Sequence, residues 1–413
     1  MIRSIQAVGL DIGTNRVRCL IGEPDEHDHK LKIIGFGQAE SRGLRRGVVT
    51  TTETVAEAVK KAVEEAEHVS GQEIQMATVN ASGEHLRGEN KSGVVAVAGA
   101  GREISEEDVE RAVESASAVQ LPAGWEVISR LPQEFIIDGQ DGIVEPVGMT
   151  GARLESLVHI VTSPSAGRQN IVKAVNKAGL EIENMILEPL AAAESTLSDD
   201  DKEYGCALVN IGAELTGLMI FGRGAVQHTA VFPFGGTHLT KDLAVGLRVS
   251  IPEAERIKHN YGCAAGFLLS EDERQELIEV IPVGRQETRT LSKEILCDIL
   301  QSRTIELLQH IAKEVTRIDA QIPSGVVLTG GGSHIKGLVE VAEQVFDAPT
   351  RLGFLDSEYF GGLVDEVQNP EWAVAGGLAL ASMRLQMKQI QTNGKSPTQK
   401  VAQWFENFRE KFR

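Results

Sequence analysis

The sequence predicts an α/β chain of two similar half-domains, with a separate α+β unit inserted in the first and an amphipathic helix at the C-terminus. Three observations carry this expectation. The stretch DIGTNRVRCLIG at 11–22 is echoed by NIGAELTGLMIF at 210–221. Strand and helix patterns alternate on both sides of a block at 83–162, which instead shows strands separated by glycine-rich turns. The segment 400–413 concentrates aromatic side chains among basic ones.

In each copy of the repeat an apolar strand (6–10; 206–209) ends on a carboxylate or amide side chain, Asp11 or Asn210. A glycine turn carrying Thr14 or Thr216 follows, and then a second apolar strand. Successive backbone N–H groups around such a turn form a concavity suited to phosphate oxygens. One copy alone reads as an ordinary hairpin. Two copies half a chain apart predict two halves gripping one polyphosphate from opposite sides.

The remaining elements follow in order. A strand over 31–38 extends the first hairpin, and Val55, Val59, Ala62, Val63 and Ala66 space a helix over 52–69. A short buried strand follows at 75–80. In the 83–162 block, a strand is expected at 93–98, and Ser105 caps a helix whose face is Val109, Ala112, Val113 and Ala116. Further strands are expected at 126–131, 134–138 and 153–162. Alternation then resumes with a helix over 169–178 stopped by Gly179, a strand at 181–187, and a helix starting at Pro189. Asp199, Asp200 and Asp201 read as a solvated joint. Beyond the second hairpin, helices are expected over 248–261 and 293–318, then a strand at 325–329 running into Gly330, Gly331 and Gly332. Helices over 335–346 and 372–386 precede a polar linker at 389–399.

Composition excludes several function classes. With 413 residues the chain has room for two or more cores. Its net charge of −18 argues against a general nucleic-acid binder. Cys19, Cys206, Cys263 and Cys297 stand far apart without CxxC spacing, so structural thiols are expected rather than a disulfide or metal site. No signal peptide and no membrane-spanning segment are expected, which points to a cytoplasmic body.

Gly13, Thr14 and Asn15 are candidate donors to β- and γ-phosphates, and Asp11 is a candidate for hydrated Mg²⁺. Asn210 in the second copy can bond metal-held water but brings no charge, so nucleotide binding should survive better than hydrolysis. The expected enzyme activity is at most a slow ATPase. Gly235, Gly236 and Thr237 offer further backbone donors, or form a plain loop. Glu188 is placed to position an attacking water, or is a surface carboxylate. Gly330, Gly331, Gly332 and Ser333 suit the close approach of a flat base at a helix start. Glu255 and Lys258 lie three apart on a helix and either clamp an adenosine or form a surface ion pair. A bulky residue at Gly332 is expected to block the base without harming the fold.

On a helical wheel Val401, Trp404, Phe405, Phe408 and Phe412 fall in an arc of about 100°, with Lys400, Lys411, Arg409 and Arg413 at its edges. The segment 395–413 carries five Lys or Arg against two Glu. A helix of about 20 Å is too short to cross a bilayer, but its stripe suits the interface of an anionic membrane. Docking on the protein's own core is the alternative.

These features together resemble the FtsA family of bacterial actin homologues that act in cell division. The segments EISEEDVERAVESA, LPQEFIIDGQDGIVEPVGMTGARLE and VHIVTSP are very like that family's inserted subdomain. Sugar kinases and Hsp70 chaperones lack both the insertion and the tail. The resemblance covers essentially the whole chain. It implies an actin-like duplicated ATPase fold, with subdomain IA at 1–82 and 163–197, IC at 83–162 in place of actin's IB, IIA at 198–240 and 320–386, and IIB at 241–319. A flexible linker at 387–399 and a membrane-targeting helix at 400–413 complete it. It also implies ATP with Mg²⁺ between the halves, self-assembly into filaments, and attachment of the FtsZ ring to the inner face of the cell membrane at the division site. The FtsZ C-terminal peptide would bind IIB, with Arg303 and Glu306 as the carried-over contacts, although the family's usual Pro before that Arg is Ser302 here. Later divisome proteins would be recruited through IC. An actin-like scaffold of another envelope machine, such as pilus assembly, and a small-molecule kinase of the same superfold are the alternatives.

Overall fold

The computed structural model describes residues 5–25, 30–98, 103–284 and 287–393. Strands β1 (Ala7–Ile12) and β2 (Arg16–Pro24) form the first hairpin, and β3 (Leu31–Glu40) continues it antiparallel. A two-stranded ribbon, β4 (Leu44–Arg45) with β5 (Val48–Val49), leads to α1 (Thr52–Ser70). The predicted stripe Val55, Val59, Ala62, Val63 and Ala66 is buried against Val8, Leu10 and Ile12 of β1. Strand β6 (Met76–Ala81) then lies parallel to β1.

The chain next leaves this sheet for a separate antiparallel one. It comprises β7 (Arg87–Ala96), β8 (Trp125–Ile137), β9 (Gln140–Ile143) and β10 (Arg153–Pro164), in the order β7-β10-β8-β9. Helix α2 (Glu106–Ser117) is opened by a capping box between Ser105 and Asp108. The strands expected at 126–131 and 134–138 are one strand, β8, with a register shift where Pro132 faces Val158 and Glu134 faces Leu157. The bulge absorbs the N–H that Pro132 lacks.

Back in the first sheet, α3 (Ser165–Lys177) leads to β11 (Glu181–Leu187), parallel to β6. Helix α4 (Glu188–Thr196) starts at Glu188 itself, with Pro189 in its first turn. The Asp199–Asp201 triad, read as a solvated joint, has Asp199 and Asp200 exposed and is helical. It is the first turn of α5 (Asp199–Tyr204), capped by Ser198, where three carboxylates suit the positive end of the helix dipole.

The second half repeats the plan. Strands β12 (Cys206–Ile211), β13 (Thr216–Gly222) and β14 (Ala225–Phe232) form the antiparallel run. Helix α6 (Gly236–Leu247) was not anticipated, and the helix expected from 248 is α7 (Ile251–Tyr261). Arg248 ends α6 in a left-handed conformation (φ 55°), and Ser250 caps α7. Helix α8 (Glu271–Gln275), the pair β15 (Leu277–Val280) and β16 (Arg289–Ser292), and the long α9 (Lys293–Arg317) complete an outer unit. Strand β17 (Val326–Thr329) lies parallel to β12, and a 3₁₀ turn at Gly331–His334 precedes α10 (Leu338–Phe346). Strand β18 (Thr350–Leu352) closes the second sheet, while β19 (Phe360–Gly362) joins the first beside β3.

Sheet orders β11-β6-β1-β2-β3-β19 and β14-β13-β12-β17-β18 show the duplication. Each half has an antiparallel hairpin run on one side of its first strand and parallel strands on the other. Helix α11 (Ala373–Asn393) packs Ala375 and Ala379 with the first half and Val374 and Leu378 with the core between the halves. It runs seven residues past 386, into the segment expected as linker. All four cysteines are buried free thiols.

Candidate functional site

The polar ends of the parallel strands β1, β6 and β12 and the start of α4 converge between the halves. Asp11 is 7% exposed and faces Arg18 across the hairpin. Burial raises its pKa to about 7, the neighbouring Glu188 charge adding to that and Arg18 opposing it. Burial also raises Glu188, against hydrogen bonds from Ser82 and Asn210. The Asn210 amide donates to Glu188 Oε1 at 2.6 Å, linking the two halves directly. Asn210, expected to bond metal-held water, is thus engaged with Glu188. Ile12 N–H donates to Asn80 Oδ1 at 2.8 Å, which fixes the end of β1.

The first turn is closed by Gly13 N–H donating to Arg16 O (3.0 Å), and its counterpart by Gly212 N–H donating to Leu215 O (2.9 Å). Gly13 is therefore not a free donor, whereas the amides of Thr14 and Asn15 have no protein partner among the described residues. Thr216 is not a turn residue. It opens β13, buried, with its hydroxyl on Phe234 O at 2.8 Å, so the turn position matching Thr14 is Ala213.

The Gly235, Gly236 and Thr237 amides also have partners here. Gly236 N–H reaches Gly212 O (2.9 Å), Thr237 N–H reaches Ala213 O (2.8 Å), and Gly235 N–H reaches His238 Nδ1 (3.2 Å). These bonds seat the start of α6 on the second turn, which corrects the reading of three open donors. Lys258 Nζ bonds Thr240 Oγ1 and Glu255 at 2.9 Å and approaches Gly236 O at 3.4 Å. Glu255 also bonds Thr240. The pair is thus brought beside the start of α6 rather than left on open surface.

Gly330 has φ 83°, and a Cβ there would stand 2.4 Å from Asn210 Oδ1. At Gly332 a Cβ would stand 2.4 Å from Ile211 Cγ2. These glycines are needed first for packing on β12, so a bulky Gly332 disturbs the fold as well, contrary to expectation. Gly331 lies near Glu371, and Ser333 is buried with its hydroxyl on Gly330 O at 2.6 Å, a turn-closing contact.

Sequence reasoning missed Arg18, Asn80, Thr240, His334 and Glu371. Arg18 pairs with Glu371 at 2.9 Å, and His334 approaches the same carboxylate at 3.5 Å. The hydrogen bond from His334 and the charge of Arg18 hold Glu371 down at about 2 against burial. Only Asn80 had a legible signal, a polar residue ending an apolar strand as Asp11 and Asn210 do. Elsewhere, Arg303 on α9 is half-buried, paired with Asp242 of α6 (3.1 Å) and with Glu306 (2.8 Å). Val401, Trp404, Phe405, Phe408 and Phe412 lie outside the described residues.

Comparison with known proteins places these features in context. Residues 207–377 match the family described as cell division protein FtsA, and residues 83–162 match the SHS2 domain inserted in FtsA. A cell division protein FtsA of Pseudomonas aeruginosa is 41% identical over 381 residues, covering 92% of this chain and 89% of its own. That of Neisseria meningitidis is 38% identical, covering 91% and 90%, and that of Escherichia coli K12 is 34% identical, covering 90% and 89%. Among solved structures, a PilM–PilN type IV pilus biogenesis complex superposes with TM-score 0.67 at 17% identity, covering 91% of this chain and 98% of that one. MreB5 of Spiroplasma citri bound to AMPPNP superposes with TM-score 0.51 at 13% identity, covering 94% and 98%. The likeness to both is one of fold, which is actin-like.

Proposed function

The chain belongs to the FtsA family of cell-division proteins, and from that premise we propose that it is an ATP-binding, filament-forming adaptor that tethers the FtsZ ring to the inner face of the cell membrane. The observation that carries the nucleotide part is the meeting of Asp11, Glu188 and Asn210 where the two halves touch. Two carboxylates whose proton affinity burial raises, Asp11 further through the charge of Glu188, are a poor arrangement alone and a good one around a cation. The residues present therefore fit Mg²⁺ with a polyphosphate. Thr14 and Asn15 would donate to phosphate oxygens, Asp11 would hold the hydrated metal, and Glu188, oriented by Asn210, would orient water. Gly332, Gly236, Lys258 and Glu255 would surround the nucleoside. When bound, Mg²⁺·ATP supplies a phosphoryl group open to slow hydrolysis. The chain's own residues bind it, exclude bulk water and hold Glu188 in place.

The outer unit carrying α9 is the proposed seat of the FtsZ C-terminal peptide, with Arg303 and Glu306 in contact. Residues 83–162 would receive later divisome proteins. Segment 400–413 would lie on anionic lipid after a linker that begins beyond Asn393, where α11 ends. Electron microscopy of the purified protein on an anionic lipid monolayer, with and without ATP, tests the whole. Lipid-bound filaments that capture FtsZ support the proposal. Unattached monomers that turn over a small-molecule substrate overturn it.

A further inference from the structure

We infer that Asn80 is a positioning residue of the nucleotide site, its side-chain N–H₂ donating to an acceptor oxygen of bound Mg²⁺·polyphosphate. The inference rests on the ATP-binding reading above. Asn80, 3% exposed, is the penultimate residue of β6, one register step beyond the Leu10–Val79 pair and so beside Asp11. On its other side it pairs with Ile186, two residues before Glu188. Ligands of open α/β sheets bind at the carboxyl ends of parallel strands, and Asn80 occupies the middle of three such ends.

Its amide is half used. Oδ1 accepts the Ile12 N–H at 2.8 Å, which holds the strand end feeding the first phosphate turn. Nδ2 is buried and has no hydrogen-bond partner among the described residues. Buried donors are nearly always paired, so an orphan at this place points to an absent acceptor. The duplication supplies a control. Thr329 occupies the matching position in the second half, paired with Asn210 across β12 and β17. Its hydroxyl is satisfied internally, on Pro370 O at 2.7 Å. At this matched position, among the described residues, the first half leaves a side-chain donor open and the second does not.

Asn80 also lies at the root of residues 83–162. Two residues on, the Ser82 hydroxyl bonds Glu188, and Gly83 follows with φ 150°.

The test uses the full chain and two substitutions. Asn80→Asp keeps the acceptor for Ile12 N–H and removes the donor. Asn80→Thr copies the second half and avoids the added charge. Melting without nucleotide, in EDTA, first establishes that each variant folds. Affinities for AMPPNP and ADP are then measured with Mg²⁺ and in EDTA. Both variants should bind AMPPNP with Mg²⁺ about tenfold or more weakly, the scale of one hydrogen bond to a charged acceptor. A loss that persists in EDTA assigns the acceptor to phosphate, and one confined to Mg²⁺ assigns it to metal-held water. If either folded variant binds within about twofold of wild type, Asn80 is only a strand-end cap and the inference is overturned. If wild type binds neither nucleotide, the ATP reading falls, and this inference with it.

Discussion

Replacing Asp11 by Asn should stabilise the nucleotide-free protein at neutral pH and abolish its response to Mg²⁺·ATP. Burial, then the charge of Glu188, moves the Asp11 pKa from 3.8 to about 7, against the pull of Arg18. In the unfolded chain the same carboxyl titrates near its ordinary value, about 3.9. Between those values the folded protein holds a proton that the unfolded chain has released, so stability falls as pH rises through about 4 to 7. At about 1.4 kcal/mol per pH unit, the ionised carboxylate burdens the metal-free fold by up to about 4 kcal/mol above pH 7. Asn has the same shape and does not titrate, and Glu188 is common to both proteins. In EDTA the variant should therefore melt above wild type at pH 8, with the difference shrinking towards pH 4. Adding Mg²⁺·ATP at pH 8 should raise the melting temperature of wild type only. Scanning fluorimetry across this pH range reads both effects. A variant that melts below wild type at pH 8 in EDTA, or an offset independent of pH, would refute the reasoning.

Three further outcomes follow from the same structure. Gly332→Leu should lower stability by about 1–3 kcal/mol, the usual range for overpacking, because even a Cβ there meets Ile211; an unchanged urea midpoint would show that the strand relaxes. His159 joins residues 83–162 to the second half through Thr229 (2.8 Å), its other ring nitrogen meeting Asn90 of its own unit (2.5 Å), and burial, with His228 nearby, holds its pKa down at about 4. The unfolded chain binds the proton first, so stability is lost as pH falls from about 6.5 to 4, by up to about 3 kcal/mol. His159→Gln should flatten that slope in a melting series, and an unaltered slope would place the acid sensitivity elsewhere. Trp404 and Phe408 replaced together by Glu should release the protein from anionic liposomes with ATP affinity unchanged. Each aromatic contributes on the order of 1.5–3 kcal/mol and each basic flank about 1 kcal/mol; co-sedimentation equal to wild type would show that the tail is not the anchor.

What the sequence made legible was chemistry held in one contiguous motif. The two hairpins and the α1 stripe could be read because period and turn signals lie within a few residues. The first half of β7, Arg87–Gly93, carries no such signal. It is polar and mostly exposed, and it is a strand because β10 pairs along its whole length. Helix α6 was hidden behind Gly235 and Gly236, whose role is to let the helix start approach the second turn, where a Cβ at Gly235 would meet Gly212 O at 2.3 Å.

The candidate site failed to show itself for a different reason. Its contacts join residues that the chain separates widely: Arg18 with Glu371, Asn210 with Glu188, Ile12 with Asn80. No local period encodes such pairs. They exist because each half brings its parallel strand ends to one edge and the two edges then face each other. A polar residue ending an apolar strand is the trace this leaves in sequence, and it occurs at Asp11, Asn80 and Asn210. Two of these three stand in the repeat and were read. The third stands one strand over, outside any motif, and its unpaired amide becomes visible only when its neighbours are in place. The repeat gave no warning of it, because its counterpart in the second half, Thr329, is satisfied internally and leaves no matching signal.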